Sequence, residues 1–413
     1  MKILILTQYF WPEGFRINDL CTELVKRGHT VTVLTGKPNY PDGVVYPEFA
    51  NNTGQFGQFS GADIVRVPMI ARGQGSSLQL LLNYFSFAIS ASLIGCCKLR
   101  NFTFDVIFVY EPSPITVGLP AIFLRKAKKI PVVFWALDLW PETLEAVGVV
   151  KSKLILGLIG KLVSVIYNRC DLVLGQSRAF CDAIAIYCDD AEKIRYFPSW
   201  AENIFADSST LHKVASMNRH AGVFKVLFAG NIGEAQDFPA IVDAAERLKK
   251  QQSNVKLFIV GDGRVLPWLK QQVEDKALHD TIVLLGRHPL ESMPSFYESA
   301  DALLVSLKQS HIFSMTIPGK LQSYLMAKKP ILGMLDGEGA RVIKESRAGY
   351  VCDSGDSQTL AMNIMKMSDL NEAERQDLGH NARQYVHQEF DRDTLISQLE
   401  QWFLQVSSNG LKG

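Results

Sequence analysis

Short unbroken apolar runs alternate along this chain with apolar residues spaced three and four apart. Residues 3–6 form the first run; Ile17, Leu20, Cys21, Leu24 and Val25 make a helical stripe closed by Gly28; residues 31–34 form the next run. Such runs belong to parallel strands buried on both faces, and such stripes to helices lying against them. This βαβ opening predicts a doubly wound sheet with its ligand crevice at the carboxyl ends of the strands. Gly14 and Arg16 then lie at the crevice mouth, although Arg16 is equally readable as a charge on a helix surface. Runs at residues 105–110 and 131–137 end at Glu111 and Asp138, and another strand follows at 172–174. The sequence Phe197-Pro198-Ser199-Trp200 and the polar stretch to about Gly222 break the pattern, and a hinge is expected there. A second βα series runs from Lys225, with strands at 226–229, 257–260, 282–285 and 302–307 and a helix over 239–250. The predicted domains are residues 1–200 and 201–390, with 391–413 a terminal helix expected to pack back across them. Asp391-Arg392-Asp393 resembles a metal-binding triplet, but its place makes it a cap for that helix.

Residues 316–332, TIPGKLQSYLMAKKPIL, concentrate the candidate chemistry. Thr316 offers an N-cap hydroxyl, Pro318 fits the first turn, Leu321, Tyr324 and Leu325 share a face, and Lys329-Pro330 ends the helix before a strand from Ile331. A helix starting at a sheet's carboxyl edge points free N–H groups and a partial positive charge outward, and Lys320 adds a full charge. That is a phosphate-binding geometry, though an ordinary helix with a solvated lysine fits these residues too. Two more strand ends are compatible with phosphate: Gly230-Asn231-Ile232-Gly233 and Gly261-Asp262-Gly263, where glycine lets backbone approach a diphosphate.

Composition narrows the classes. With 43 Lys and Arg against 42 Asp and Glu there is no global basic field, and no local patch is interleaved with aromatics, so nucleic acid is excluded as a partner. Seven cysteines without metal-ligand spacing read as buried, reduced thiols. The first apolar run is too short for a signal peptide, so a cytoplasmic chain is expected. Lys37-Pro38-Asn39-Tyr40-Pro41-Asp42-Gly43 has turn chemistry and reads as a surface loop.

Residues 76–97 contain no charge, and Ser76, Ser77, Gln79, Asn83, Ser86 and Ser90 form a narrow polar stripe on an otherwise apolar helix. Residues 151–169 are similar, with Leu154, Ile155, Leu158, Ile159, Leu162 and Ile166 flanked by Lys151, Lys153, Lys161 and Arg169. Each helix is either buried or lies against an anionic membrane.

PEGFRINDLCTELVKRGHTVTVLTG at the start, FAGNIGEAQDF and VGDG in the second half, and TIPGKLQSYLMAKKPIL together resemble the retaining GT-B glycosyltransferases of family 4. The resemblance spans nearly the whole chain. DLWPE and IPGKLQSYL are similar to the WbuB-type N-acetyl-L-fucosamine transferases of O-antigen and capsule assembly. The resemblance implies an α/β fold of two Rossmann-like domains facing across a cleft. It implies transfer without metal or other cofactor from a nucleotide sugar, a UDP-sugar, to a polyprenyl-diphosphate-linked saccharide at the cytoplasmic face of the inner membrane. By the same resemblance, residues 231–236 and 319–323 cradle the diphosphate, among them Asn231, Gly233, Gln236, Gly319, Lys320 and Ser323. Gly261 closes the second turn, Arg287, His288 and Pro289 meet the base, Gly14 enters the crevice, and Asp138 or Glu111 orients the acceptor hydroxyl. Three departures from the family's pattern stand out. Asn231 and Gln236 replace a basic pair, Met315 and Ser323 replace two glutamates, and Asp138 replaces a histidine. Diphosphate charge then falls to Lys320, the helix N-termini and Arg16. Two rivals share the architecture: a UDP-sugar 2-epimerase, which needs no lipid acceptor, and a non-catalytic nucleotide-sugar binding module.

Overall fold

The computed structural model describes residues 1–146, 148–201 and 214–410. Its contacts divide the chain into two compact units, Met1–Phe197 with the chain from Thr394 on, and Pro198–Asp393. Most of the hinge stretch, residues 202–213, lies outside the described residues.

In the first unit the strands are β1 (Lys2–Leu6), β2 (Thr30–Thr35), β3 (Gln58–Phe59), β4 (Ala62–Arg66), β5 (Val106–Glu111), β6 (Val132–Ala136), β7 (Leu172–Gly175) and β8 (Ile194–Tyr196). Their order is β3-β4-β2-β1-β5-β6-β7-β8, parallel except for the β3–β4 pair. The connection reverses direction between β1 and β5, so their carboxyl ends make the switch point where an open α/β sheet takes its ligand. The apolar stripe of helix Arg16–Lys26 puts Ile17, Leu20, Cys21 and Leu24 inside, as its spacing predicts. The terminal helix Arg392–Asn409 closes this sheet: Phe403 meets Phe108 at 5.5 Å, and Glu400 accepts from Arg27 Nη1 at 2.8 Å.

The second unit holds β9 (Phe224–Ala229), β10 (Val255–Val260), β11 (Ile282–Gly286), β12 (Ala302–Ser306), β13 (Ile331–Met334) and β14 (Gly349–Cys352). These are all parallel in the order β11-β10-β9-β12-β13-β14, with the switch point between β9 and β12. Because side chains alternate along a strand, each strand serves two cores. Leu227, Phe258 and Leu303 pack with Leu321, Tyr324 and Ile343 on one face. Val226, Phe228, Leu257 and Leu304 pack with Ile241, Leu248 and Leu360 on the other. Both faces being covered is why the strands read as continuous apolar runs.

Three local expectations are corrected. Thr316 does not cap the helix that follows it: its hydroxyl donates to Ile312 O at 2.9 Å, closing the short helix His311–Met315, and the next helix is Gly319–Met326 with Pro318 at its N-cap. The loop at 37–43 is not simply superficial, because Asn39 is fully buried and its N–H donates to Glu13 Oε1 at 2.8 Å. Helix Ser77–Ser90 is not buried all round. From Asn83 on its polar stripe faces in, with Asn83 fully buried and accepting from Gln8 Nε2 at 2.7 Å, while Leu78, Leu81, Phe85 and Ile89 are exposed.

Candidate diphosphate and acceptor sites

The loops after β9 and β10 are interlocked by backbone. Ile232 N donates to Asp262 O at 2.8 Å, Val265 N to Ile232 O at 3.0 Å, and Gly261 N to Gly286 O at 2.8 Å. This interlock is possible only for glycine. Gly261 and Gly263 have φ of 144° and 158°, and added Cβ atoms would stand 1.8 Å from Gly230 O and 2.3 Å from Ile232 O. The Asn231 amide wedges into the same knot, with Nδ2 at 2.5 Å from where a Cβ of Gly233 would be. The loop is also tied to the neighbouring strand across the switch point, since Ser306 Oγ donates to Gln236 O at 2.6 Å and Lys308 N to Ala235 O at 2.9 Å.

Lys320 enters this knot from the first turn of helix Gly319–Met326. Its Nζ donates to Gln236 Oε1 at 2.9 Å and sits 3.7 Å from the centre of the Phe228 ring, a cation–π distance. To reach that ring it passes Gly230, where a Cβ would stand 3.0 Å from Nζ. Part of the residue reaches the surface, but the ammonium is enclosed, and burial pushes it down to about 7. Tyr324, one turn on, accepts from Ala229 N at 2.9 Å, fixing the helix to the last residue of β9. Phe228 and Tyr324 are the site residues that pattern reading missed. Both looked like core, and only their distances to Lys320 and Ala229 reveal the role. An added Cβ at Gly319 would meet no atom within 4 Å, so the helix start is open to a ligand. Gln236, Gly233, Asn231, Gly261 and Lys320 thus come together. Ser323 is 5% exposed and lies in the helix interior. Arg287, His288 and Pro289 are exposed beyond β11, with the His288 ring tilted against Phe296 at 4.6 Å between centroids.

A half-charged ammonium is a proton-linked anion site. An anion favours Lys320 in its charged form, so binding raises its pKa and takes up a proton above pH 7. We therefore expect anion affinity relative to Lys320→Arg, whose charge does not titrate, to be level below about pH 6 and to fall roughly tenfold per unit above pH 7. Calorimetry of a nucleoside diphosphate in buffers of different ionisation heat checks both the slope and the proton uptake. A ratio that stays level from pH 6 to pH 9 rules the linkage out.

The first unit gathers its candidates at its own switch point. Glu13 is 1% exposed, and its carboxylate accepts from Phe10 N at 3.1 Å, Asn39 N at 2.8 Å and Tyr40 N at 2.7 Å, pinning the turn that carries Gly14. Burial still pushes its carboxyl up against those three bonds. An added Cβ at Gly14 would meet nothing within 4 Å. The backbone of Arg16 hydrogen-bonds the Tyr110 hydroxyl at the end of β5. Glu111 follows Tyr110 and is fully buried; its Oε2 accepts from Asp138 N at 3.4 Å. Burial, then the Asp138 charge, hold its carboxyl well above the usual range. Asp138 is partly exposed, accepting from Trp140 Nε1 at 3.0 Å and Thr143 Oγ1 at 2.5 Å. Arg16, Glu111 and Asp138 therefore share one strand edge, with one carboxyl fully buried and the other held by two donors.

Comparison with known proteins agrees with this arrangement. The model for glycosyl transferases group 1 matches residues 214–385, and that for the glycosyl transferase 4-like domain matches residues 14–200. A putative colanic acid biosynthesis glycosyl transferase, WcaI of Escherichia coli, is 24% identical over 96% of this chain and 98% of its own length. Alpha-monoglucosyldiacylglycerol synthase of Streptococcus pneumoniae is 21% identical over 78% of this chain and 69% of its own. Among solved structures, Anabaena Alr3699/HepE in complex with UDP and glucose has a TM-score of 0.70 at 17% identity, covering 98% of this chain and all of its own. WaaG, a glycosyltransferase involved in lipopolysaccharide biosynthesis, has a TM-score of 0.64 at 14% identity over the full length of both.

Proposed function

Because the chain belongs to the GT-B glycosyltransferases of family 4, we propose that it moves a sugar from a UDP-sugar to a polyprenyl-diphosphate-linked saccharide, with retention, in the assembly of a surface polysaccharide. The observation that carries this reading is the enclosed Lys320 ammonium at the β9–β12 switch point, beside two glycine turns that bring bare backbone to the same place. A departing nucleoside diphosphate gains negative charge as the sugar becomes oxocarbenium-like. Lys320 and the N–H groups at the start of helix Gly319–Met326 then bind the transition state more strongly than the donor. Arg287, His288 and Pro289, exposed beyond β11, are the residues we assign to the base, following the resemblance. Asp138 keeps a lone pair on each oxygen beyond its bonds to Trp140 and Thr143, and it orients the acceptor hydroxyl while the β-phosphate takes the proton. Buried Glu111 fixes Asp138 through its backbone. The sugar is N-acetyl-L-fucosamine or a related N-acetylated sugar, in keeping with DLWPE and IPGKLQSYL. The colanic acid biosynthesis named for the Escherichia coli relative supports the polysaccharide part of this reading.

The test is metal-free calorimetry of UDP, GDP, ADP and dTDP. UDP is expected to bind at least tenfold more tightly than the other three. Equal affinity for all four would withdraw the UDP-sugar donor, and no binding by any would withdraw the transferase reading.

A further inference from the structure

Soluble helices turn their apolar side inward and their polar side to water. Helix Ser77–Ser90, continuing to Lys98, instead buries Asn83 and Ser90 beside Phe87 and Ala88 and turns a row of large apolar side chains outward. Asn83 is fully buried, bonded to Gln8 and, through Nδ2, to Ile70 O at 2.6 Å, and Ser86 Oγ accepts from Ile70 N at 2.9 Å. Facing solvent are Leu78, 66% exposed, and Leu81, Phe85 and Ile89 at helical spacing below it. Helix Lys153–Asn168 repeats the arrangement, with Leu154 74% exposed and Leu158 58%. Between them helix Gly118–Lys128 packs against both and exposes Phe123. The three helices thus form one outward apolar face of the first unit, far beyond the scattered surface leucines of ordinary proteins.

Charge tells what covers it. Residues 71–104, 112–130 and 148–170 hold eleven Lys and Arg and no Asp or Glu, in a chain balanced at 43 against 42. Arg125 is taken by Asp171, but Lys126, Lys129, Lys151, Lys153, Lys161 and Arg169 are exposed. A second copy paired on this face would bring like charges together, whereas an anionic bilayer accepts both the apolar side chains and the basic rim. We propose that the first unit docks in the plane of an anionic membrane through this three-helix face. The inward hydrogen bonds of Asn83 keep helix Ser77–Ser90 from spanning the bilayer, and the same residue holds Gln8 in the loop leaving β1 at the switch point. The face therefore borders the crevice assigned to the lipid-linked acceptor, and in that respect it rests on the transferase reading.

The experiment is sedimentation of the full chain with vesicles of phosphatidylcholine alone or with about a third phosphatidylglycerol. Binding is expected only to the anionic vesicles, weakening in high salt. The variant Leu81→Glu with Leu158→Glu is expected to lose at least tenfold in partitioning, and Lys153→Glu with Lys161→Glu roughly fivefold per charge. Thermal melting and UDP affinity, which reports the second unit, are expected to stay as in the wild type, so a folding defect or a failed donor site would show separately. Partitioning that is absent, or equal in wild type and variants, overturns the proposal. So does a two-chain mass in solution that Leu158→Glu reduces to one, because the face then belongs to a second copy.

Discussion

Lys320→Ala is expected to lower turnover by about a hundredfold or more while leaving the melting temperature unchanged or raised. The first half follows from where the charge is. Its ammonium lies on the Phe228 ring and against Gln236 Oε1, so it is already desolvated and aimed before any diphosphate arrives, and such a group costs no reorganisation in the transition state. The second half follows from what the charge costs. Burial holds Lys320 near pH 7, well below a free lysine, so the folded protein takes up fewer protons than the unfolded chain between about pH 7 and 10. Stability therefore rises with pH across that window and is lowest where the lysine is charged; removing it relieves that penalty. Lys320→Arg keeps charge but not shape, and the guanidinium must fit past Gly230, where even a Cβ would come within 3.0 Å of the native Nζ. Steady-state rates with a UDP-sugar and melting curves of both variants decide the matter. A lysine that only packs would give the opposite pair: near-normal turnover and a lower melting temperature.

The architecture was legible because both units cover their sheets on two faces. That arrangement writes each strand as an unbroken run and each helix as a stripe, so the strand ends at Ala229, Val260, Glu111 and Ala136 fall within a residue or two of the predicted turns. The phosphate-compatible turns were legible for a related reason, since glycine after a strand has few other uses. What the pattern left open was direction. Residues 76–97 read the same whether the polar stripe faces in or out, and only Asn83 bonded to Gln8 and Ile70 decides it. Thr316 carries the residue type of a cap but spends its hydroxyl on the helix before it. Gln236 looked like the loss of a family cation. It is instead the acceptor that holds the Lys320 ammonium, so the positive charge comes from another element of the same unit. Glu13 gave no signal at all, because a buried carboxylate satisfied by three backbone N–H groups looks in sequence like any loop acid.

Gly261→Ala is expected to abolish diphosphate binding and to lower the melting temperature of the second unit by about 5–10 °C. Two costs add. A φ of 144° is one that a residue with a Cβ rarely adopts, at roughly 1–3 kcal/mol. The added Cβ would also stand 1.8 Å from Gly230 O. That oxygen is backbone, and its residue is tied by Gly230 N to Val260 O at 2.9 Å, so no side chain can swing aside and the loop leaving β9 must move. Moving it displaces Gly230, the point past which Lys320 reaches Phe228, so charge and backbone donors are lost together. Gly286→Ala separates the two costs. Gly286 also has positive φ, at 75°, but its Cβ would meet nothing within 4 Å. It should therefore show conformational strain alone, with the diphosphate site intact. Thermal melts and UDP calorimetry of the two variants side by side give the answer. If Gly261→Ala melts and binds like Gly286→Ala, the two loops are not interlocked in solution; a large gap between the variants, in binding above all, means the glycine at 261 is there to let the β9 and β10 loops touch and so to hold the Lys320 site in shape.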